Sequence, residues 1–300
     1  MDDGRRLLVV SPLRNEAAHL ELVAGAVAAQ TRPPDLWLAI DDGSTDGTWE
    51  LARRLAGEIP FLRVLRTPAR FTDDRGDRHA AAAAPRAFNR ALRSVDRRAF
   101  THVGKLDGDV ELPERYFEAL LREFDRDPRL GIAGGTIVER TPAGWAPAPA
   151  AEHHVRGALK LYRRECLEAI GGVRERLGWD GIDGTYARMH GWTTRSFAQL
   201  PVRHHRPLGS ADGAWRGRVR RGEVHWVLGF GPAWSALKAL QIGRGPGGAG
   251  AGAAFLYGYA AAAARGVPRV EDPDYRRFMR AEQRARLRRS IRRAAVRPAG

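Results

Sequence analysis

AIDDGSTDGT, residues 39–48, is the stretch of this sequence that decides its fold. An apolar run is followed by two acids, Asp41 and Asp42, then by a glycine and by hydroxyl residues that can cap a helix. The pattern predicts a strand, a polar turn and then a helix. An acid in this position can accept a hydrogen bond from a nucleobase N–H or a ribose hydroxyl, as an acid does in dinucleotide-binding folds. Taken alone, the motif leaves a simple capped turn equally open.

Short apolar runs alternate with helical patterns on both sides of this stretch. The runs that predict strands are 5–12, 35–41, 61–66 and 100–107. The patterns that predict helices are 16–30, 47–58 and 86–95. Such alternation predicts βαβ units, and therefore an α/β fold with a mainly parallel, Rossmann-like sheet flanked by helices. In sheets of this kind ligands bind beyond the carboxyl ends of the strands.

A second acidic pair follows the predicted strand at 100–107. In GKLDGDVELP, residues 104–113, Asp107 and Asp109 lie on either side of a glycine. Side chains one residue apart point to the same side of an extended segment, so the two carboxylates repel each other unless a cation lies between them. A solvated turn is the alternative, since Asp and Gly are common turn residues. Polar clusters also follow the predicted strands at 12–16 and 41–48, and this co-location favours the metal site.

The pattern changes after residue 110. A helix opened by proline is predicted at 113–128, a strand at 129–140, a proline- and alanine-rich loop at 141–151, and helices at 163–173 and 180–192. From residue 213 the chain is rich in Gly, Ala and Arg. The expected domains are therefore 1–212, with halves 1–110 and 111–212, and an α-rich C-terminal extension at 213–300.

Composition narrows the functional classes. Apolar residues make up 43% of the 300 residues, which is typical of a globular chain. The single cysteine, Cys166, allows no internal disulfide and favours a reducing compartment. No signal peptide is expected at the N-terminus. The uncharged run 245–264 is mostly Gly and Ala, and we interpret it as a loop and a helix of a soluble protein rather than a membrane span. The glycine-rich loops of dinucleotide-binding enzymes and P-loop enzymes are absent from the sequence.

These residues together resemble the family-2 glycosyltransferases, which have the GT-A fold. VVSPLRNE resembles the end of that family's first strand, AIDDGSTDGT its acidic turn, RAFNRAL the helix before its metal motif, and LDGDV its Asp-x-Asp motif. The resemblance extends over roughly residues 5–140. It implies that a sugar is transferred, with inversion, from a nucleotide diphosphate donor, and that 1–110 binds the nucleotide while 111–212 binds the acceptor.

The resemblance also implies a divalent cation, Mg²⁺ or Mn²⁺. Both ions favour oxygen ligands and are typically held by one or two carboxylates together with substrate phosphates. Asp109 would be the direct ligand, and Asp107 would contact the ribose or a metal-bound water. HHRP, 204–207, lies where some relatives carry a histidine that contacts the metal or the diphosphate, and we assign this role to His205.

The nucleotide would be held by residues that follow the first two strands, together with one helical arginine. Asp41 would contact the base, Asp42 would support the turn, and Arg86 would contact the diphosphate. The remaining residues, which would frame the nucleotide, are Pro12, Asn15 and Glu16.

An inverting transfer also needs a general base for the acceptor hydroxyl. In GWDGIDGTYARMHGW, 178–192, the spacing to a later Arg and Gly aligns Asp180 with the family's catalytic aspartate, while Trp179 stands where glutamate is usual. Asp183 shares a helix face with Asp180. Either acid could be the base, and we favour Asp180. Two acids that stabilise a helix N-terminus are the structural alternative.

The net charge of +15 is concentrated at the C-terminus. Residues 276–297 hold ten arginines and one glutamate, a net charge of +9, which leaves +6 for the rest of the chain. Arginines recur every four residues from 276 to 292, so a helix would align them and need an anionic partner. An anionic membrane surface is one candidate. Nucleic acid is disfavoured because aromatic residues are scarce there, and a solvated tail remains an alternative.

The expected function is therefore metal-dependent glycosyl transfer in the cytoplasm, with the protein resting on the inner face of the membrane. UDP- and GDP-sugars are both compatible donors, and the acceptor is a glycan, a lipid-linked sugar or a small molecule. One rival is a sugar-nucleotide nucleotidyltransferase, which would need a glycine-rich basic loop that SPLRNEAAHL lacks. The others are a basic nucleic-acid- or membrane-binding protein and an inactive, nucleotide-binding relative.

Overall fold

A computed structural model describes residues 4–67, 82–141, 144–148, 150–206, 213–245 and 247–295. The chain forms two compact units, Met1–Pro207 and Leu208–Gly300.

The first unit is built on one sheet. Its strands are β1 (Leu7–Leu13), β2 (Leu36–Asp41), β3 (Leu62–Arg66), β4 (His102–Leu106), β5 (Val110–Glu111), β6 (Leu130–Thr141), β7 (Gly144–Pro147), β8 (Leu159–Arg163) and β9 (Thr193–His204). Its helices are α1 (Leu20–Ala28), α2 (Thr48–Glu58), α3 (Ala83–Arg93), α4 (Tyr116–Arg126), α5 (Arg164–Ala169) and α6 (Trp179–Met189).

The strand order is β3-β2-β1-β4-β8-β6-β9-β5, and β7 pairs with β6. The four strands from the first half of the chain are parallel to one another. In the second half β8 is antiparallel to β4 and β6, β9 is parallel to β6, and β5 is antiparallel to β9. The predicted α/β fold with a Rossmann-like sheet is confirmed; the sheet as a whole is mixed, with one parallel part formed by β1 to β4 and another by β6 and β9.

Both faces of the sheet are covered by helices. Leu7 and Val9 of β1 pack with buried residues of α1, α2 and α4, whereas Leu8 and Val10 pack with α3, α5 and α6 on the other face. Because alternate side chains of a strand point to opposite faces, burial of both explains why β1 is a continuous apolar run. Cys166 of α5 is buried within the second of these clusters.

Four strands lie outside the sequence prediction, namely β5, β7, β8 and β9. β7 occupies part of the predicted loop at 141–151. β9 follows α6 and contributes to the sheet in place of a loop. Its burial alternates, with Phe197 and Val202 buried and Arg195 exposed, so it has no continuous apolar run. The signal that could have identified it is this weak period of two.

The second unit is helical, with α7 (Gly213–Val227), α8 (Pro232–Gly243), α9 (Gly248–Ala264) and α10 (Pro273–Ala295). Glycines allow α9 to approach its neighbours closely. A methyl group added at Gly258 would lie 1.9 Å from the carbonyl oxygen of Val219 in α7, and one added at Gly252 would lie 2.5 Å from that of Ala239 in α8. The Gly/Ala run therefore forms a helix, Gly248–Ala264, that is suited to close packing. Across the described ranges, no helix is both long enough and apolar enough to span a bilayer.

Candidate active site

The carboxyl ends of β1, β2 and β4 meet at one edge of the sheet. β1 lies between the other two, with Pro12 and Leu13 beside Ile40 and Asp41 of β2, and with Val10 beside Lys105 of β4. Because the three strands run in the same direction, the loops that follow them share this edge. Pro12, the penultimate residue of β1, is half-buried.

Hydrogen bonds fasten the loop after β1 to the loop after β2. The side-chain oxygen of Asn15 accepts from the backbone N–H of Thr45 at 2.9 Å, and the N–H of Asn15 donates to Oγ of Ser44 at 3.0 Å. The N–H of Glu16 donates to Oγ1 of Thr48 at 2.8 Å. Asn15 has φ of 54°, a left-handed conformation that asparagine tolerates better than most residues. Asn15 thus joins the two loops.

Asp41 and Asp42 are both buried and both have partners. The carboxylate of Asp41 accepts from the N–H of Ser44 at 3.2 and 3.3 Å, and Nε of Arg66 lies 3.3 Å from its Oδ2. The carboxylate of Asp42 accepts from Oγ1 of Thr67 at 3.1 Å. Asp42 therefore supports the turn, and the fully buried carboxylate of Asp41 is engaged by Ser44 and balanced in charge by Arg66.

Glu16 faces the end of β9 and is bound by Arg206. The guanidinium donates two hydrogen bonds to its carboxylate, at 3.2 and 2.6 Å, and a third to the carbonyl of Asn15 at 3.3 Å. Burial and the charge of Asp109 raise the pKa of Glu16 to about 8, although Arg206 acts in the opposite direction. The pair thus places the Arg206 cation at this edge of the sheet.

The loop after β4 approaches Glu16 because residue 108 is glycine. A methyl group there would lie 2.8 Å from Cδ2 of Leu13 and 2.9 Å from Cγ of Glu16, closer than real contacts allow. Within this loop Asp109 is buried, whereas the side chain of Asp107 is 33% exposed. Asp107 forms an ion pair with Lys105, and part of its side chain remains exposed.

Asp109 lies against two cationic side chains from the end of β9. Nε2 of His204 is 3.3 Å from its Oδ1, and Nε of Arg206 is 3.8 Å from its Oδ2. Burial raises the pKa of Asp109, but the hydrogen bond and charge of His204, with the charge of Arg206, outweigh burial and hold it below its usual range. Despite its own burial, His204 has a raised pKa because of the same contact with Asp109.

His205 points elsewhere. Its Nε2 is 2.8 Å from a carboxylate oxygen of Glu111, and its ring stacks on that of His19 with centroids 5.6 Å apart. The histidine that the structure sets beside Asp109 is therefore His204, not the neighbouring residue suggested by the sequence.

The residues around Asp109 offer carboxylate oxygens to a cation. Among the residues that the structure describes, no group of three or more His, Cys, Asp or Glu side chains could hold a metal ion. Mg²⁺ and Mn²⁺ favour oxygen ligands and are typically bound by one or two carboxylates together with substrate oxygens and water. The 3.3 Å contact between Asp109 and His204 is a hydrogen-bonded ion pair, so Nε2 of His204 carries a proton and is not a ligand in this arrangement. The carboxylate of Asp109, with that of Asp107 nearby, fits a cation of this kind.

The two acids of α6 have different environments. The carboxylate of Asp183 is fully buried and accepts from Nζ of Lys160 at 2.6 Å, from the hydroxyl of Tyr162 at 2.5 Å, and from the N–H of Gly184 at 2.5 Å. Burial raises its pKa. With both oxygens engaged and no exposed surface, Asp183 cannot reach a substrate.

Asp180 has an accessible carboxylate, with 32% of its side chain exposed and Nε2 of His154 at 3.9 Å. Burial raises the pKa of Asp180, but the nearby charges of His154, Lys160 and Arg156 outweigh burial and lower it. Asp180 is thus ionised at neutral pH, as a general base must be before it accepts a proton.

Arg86 of α3 lies beside Glu175, with its Nε 4.0 Å from the Glu175 carboxylate.

Four cationic residues that contact the site acids had no role in the sequence prediction, namely Lys105, Lys160, His204 and Arg206. The signal for the lysines was their rarity, since the chain has only three, and two of them lie within buried strands.

The sheet order and the acidic turns after β2 and β4 define an α/β protein of the GT-A class. The family model for glycosyl transferase family 2 matches residues 8–167, more than half of the chain, and the chain belongs to this family. The family resemblance of the sequence is thereby confirmed.

Comparisons with individual proteins agree. The chain is 32% identical over 195 residues to the succinoglycan biosynthesis protein ExoA of Rhizobium meliloti (strain 1021), covering 56% of this chain and 53% of ExoA. The chain thus spans about half the length of this relative.

Among solved structures, the mannosyltransferase PcManGT of Pyrobaculum calidifontis, in complex with GDP-Man and Mn²⁺, aligns with a TM-score of 0.55 at 21% identity over 94% of this chain and 80% of that one. S. aureus TarS 1–349 with UDP-GlcNAc aligns with a TM-score of 0.52 at 12% identity, over 85% of this chain and 71% of that one. Identities this low establish the shared fold alone.

Proposed function

We propose that this protein transfers a sugar from a nucleotide diphosphate donor to an acceptor hydroxyl, with inversion at the anomeric carbon and with Mg²⁺ or Mn²⁺. The observation that carries the proposal is the arrangement of three acids around one short segment of a family-2 chain. The N–H of Asp107 donates to the carbonyl of Ala158 at 2.9 Å, and a methyl group added at Gly157 would lie 3.1 Å from Cβ of Asp180. Asp109 follows Asp107 by two residues.

The nucleotide would lie on the edge formed by β1, β2 and β4. Asp41 is the acid proposed to accept from the base N–H, which uridine and guanosine both offer. Asn15 and Asp42 would act by holding the two loops, and Pro12 would form part of the floor. Glu16 would orient Arg206, whose guanidinium can bind phosphate oxygens.

Asp109 would hold the cation, with His204 orienting the Asp109 carboxylate, and Asp107 would contact the ribose or a water on the ion. A divalent cation at this position supplies positive charge for the diphosphate as it departs. Arg206, 3.8 Å from Asp109, would add a second positive charge. The proposed contact of Arg86 with the diphosphate has less support, because that side chain lies beside Glu175.

Asp180 would act as general base. The acceptor oxygen forms a bond to the anomeric carbon while the bond from that carbon to the diphosphate oxygen breaks. The acceptor proton passes to Asp180, and the electron pair leaves with the nucleoside diphosphate. One exposed carboxylate beside one fully buried carboxylate supports a single displacement, and hence inversion, because Asp183 is not available as a nucleophile.

The donor site can be tested through thermal stability. UDP, GDP, dTDP and CMP would each be added with and without Mn²⁺ to wild type, Asp109→Asn and the exposed control Asp125→Asn. At 100 times Kd a ligand adds about 2.7 kcal/mol to the stability of the folded state. We expect Mn²⁺-dependent stabilisation by one diphosphate, lost in Asp109→Asn and kept in Asp125→Asn. The proposal would be contradicted if no nucleotide raised the Tm of folded wild-type protein.

The acceptor is proposed to be a growing glycan or a lipid-linked sugar, with a small molecule as the alternative. The name of the Rhizobium relative, a succinoglycan biosynthesis protein, supports a role in polysaccharide synthesis. The donors in PcManGT and TarS, GDP-Man and UDP-GlcNAc, support a GDP- or UDP-sugar.

We also propose that the protein acts in the cytoplasm and that its second unit contacts an anionic membrane surface. Residues 208–300 contain 18 basic and 6 acidic residues, a net charge of +12. On α10, Arg280, Arg284 and Arg288 recur every four residues and are exposed, while Tyr275 and Met279 are buried. Each arginine near an anionic surface contributes about 1 kcal/mol to binding.

Vesicle sedimentation tests this contact. Binding to phosphatidylglycerol vesicles, but not to phosphatidylcholine vesicles, is expected to weaken in 0.5 M salt and in the triple change of Arg280, Arg284 and Arg288 to Gln. The matched control changes three exposed arginines of the first unit to Gln, namely Arg53, Arg97 and Arg98. Equal losses in the two triple variants, or tighter binding to DNA than to vesicles, would contradict the membrane contact.

A further inference from the structure

Two of the chain's three lysines lie opposite each other inside the sheet. Lys105 of β4 and Lys160 of β8 are direct partners in the antiparallel ladder, and each side chain is only 1% exposed. Like charges directly opposite in a sheet are destabilising, and lysine is almost never fully buried without a partner. Two ammonium groups in these positions therefore need specific compensation.

Each ammonium joins one carboxylate to one backbone carbonyl. Lys105 pairs with Asp107 and donates to the carbonyl of Gly157 at 2.8 Å. Lys160 pairs with Asp183 at 2.6 Å and donates to the carbonyl of Asp180 at 2.7 Å. The two proposed sides of the reaction, the acid at the donor and the base at the acceptor, are thus each tied to a buried lysine.

A single indole lies between the two lysines. Nζ of Lys105 and Nζ of Lys160 are each 5.3 Å from the ring centroid of Trp179, within the range of cation–π attraction. Trp179 is also packed on Gly157, where a methyl group would lie 2.8 Å from its Cζ2 atom. The contacts therefore run without a break from Asp107, through Lys105, Gly157 and Trp179, to the start of α6.

We propose that Lys105, Lys160 and Trp179 are positioning residues. They hold Asp107 and Asp180 at a fixed distance and orientation, so that the donor sugar and the general base are correctly aligned. The inference rests on the proposed function. It assigns the lysines no contact with substrate. They act through the carboxylate of Asp107 and through the backbone of Asp180 at the first turn of α6.

Charged groups of both signs surround Asp180. Those that face it are His154, Arg156 and Lys160, with Asp183 as the nearby acid. Lys160 lowers the pKa of Asp180, whereas the charge of Asp183 opposes ionisation of Asp180. Removing Lys160 and Asp183 together therefore changes the position of Asp180 with opposing effects on its pKa.

The variant Lys160→Met would leave Asp183 as an unpaired buried carboxylate and could unfold the first unit. The test therefore uses the double variant Lys160→Met/Asp183→Asn, which removes both charges of the buried pair together. The control is Lys238→Met, which changes the third lysine, located in α8. Release of nucleoside diphosphate from UDP-glucose and GDP-mannose, with water as acceptor, gives the rate.

We expect the double variant to be folded and to bind nucleoside diphosphate with Mn²⁺ as wild type does. Its kcat should fall about 10- to 100-fold, the effect of misplacing a catalytic group by about 1 Å, while its acid limb should stay close to that of wild type because the two lost charges act on Asp180 in opposite directions. A folded double variant with wild-type kcat would overturn the proposal. Lys238→Met should match wild type in every assay.

A readout without turnover separates this proposal from the proposed function. Amide hydrogen exchange over residues 178–184 should be faster in the double variant than in wild type and in Lys238→Met. Unchanged exchange there would overturn the positioning role, whatever the activity. If wild type releases no diphosphate from either donor but exchange still rises, the proposed function fails for these donors and the positioning role stands.

Trp179 gives a third, independent test. Trp179→Phe keeps an aromatic face for the two ammonium groups, whereas Trp179→Leu keeps apolar volume alone. We expect Trp179→Phe to retain most of kcat and Trp179→Leu to lose about tenfold, in keeping with a cation–π contribution of about 1–2 kcal/mol for a desolvated pair. Equal activity of the two folded variants would show that the aromatic face has no positioning role.

Discussion

Asp180 and Asp183 lie three residues apart on α6, and replacing each with asparagine is expected to affect different properties of the protein. Asp183→Asn removes a fully buried carboxylate that compensates Lys160 and accepts from Tyr162. Asp180→Asn removes a carboxylate that is one-third exposed and lies 3.9 Å from Nε2 of His154. The first change should lower stability, and the second should lower the rate.

The cost of Asp183→Asn follows from the buried pair. Removing one partner leaves the Lys160 ammonium without its counterion, which costs about 3–5 kcal/mol. For a unit of roughly 200 residues each kcal/mol lowers Tm by about 2–4 °C, so the expected drop is on the order of 10 °C. Asp180→Asn breaks only a long, partly exposed contact, and contacts of that kind contribute about 0–1 kcal/mol.

For kcat we expect the larger effect from Asp180→Asn and the smaller one from Asp183→Asn. A general base contributes about 10²- to 10⁴-fold to a rate, so Asp180→Asn should reduce kcat by that factor while leaving Mn²⁺-dependent nucleotide binding intact. Asp183→Asn, assayed at a temperature where it remains folded, should keep kcat within about tenfold of wild type, the loss coming from a less firmly held Lys160.

Calorimetry and diphosphate release on the two variants, with Asp125→Asn as the exposed control, decide the matter. The reasoning is wrong if Asp183→Asn retains wild-type Tm, since its pair with Lys160 would then contribute nothing. It is also wrong if Asp180→Asn turns over at the wild-type rate, because the base would then be another group.

Three further predictions concern single contacts. Tyr162→Phe removes a hydrogen bond to the charged Asp183, so the urea midpoint should fall by the equivalent of about 1.5–3 kcal/mol while nucleotide affinity stays constant; an unchanged midpoint would contradict this contact. Gly108→Ala brings a methyl group within 2.9 Å of Glu16, so Mn²⁺-dependent stabilisation by nucleotide should be lost, whereas Gly57→Ala, whose methyl group meets open space, should retain it. In EDTA, wild type should lose stability as pH rises from about 4.5 to about 8, because Glu16 keeps its proton to about 8 in the folded state but releases it near 4.5 when unfolded. The loss is at most about 1.4 kcal/mol per pH unit, and Glu16→Gln should flatten it in urea titrations at pH 5 and 8.

The elements that could be predicted from sequence share one physical property. β1 and β2 are buried on both faces, so each is a largely continuous apolar run, and the polar residues after each run mark the edge of the sheet. β4 is equally buried but includes His102 and Lys105 among its apolar residues. The turn at 41–48 was recognisable because it needs particular residue types. Acids are needed to accept hydrogen bonds from N–H groups, and hydroxyl residues are needed to begin a helix. The four strands and the acidic turn therefore follow from local rules.

The choice between Asp180 and Asp183 could not be made locally. Helical spacing puts both on one face, and the difference arises because Lys160 and Tyr162 lie on β8, some 20 residues earlier in the chain. The same limit applies to the histidines. Which of His204 and His205 faces Asp109 depends on the register of β9 with β5, where Val110 pairs with His204, and the sequence pattern did not indicate that β9 is a strand.

The position of β9 explains how two buried acids can lie close together. Burial, together with the charge of Asp109, raises the pKa of Glu16. The end of β9 places His204 beside Asp109, and Arg206, two residues later, contacts both acids. These cationic groups stabilise the acids in the positions that the proposed function requires. Under that proposal, a cation bound to Asp109 would share or displace the contact with Arg206, and the guanidinium would then be available to phosphate oxygens.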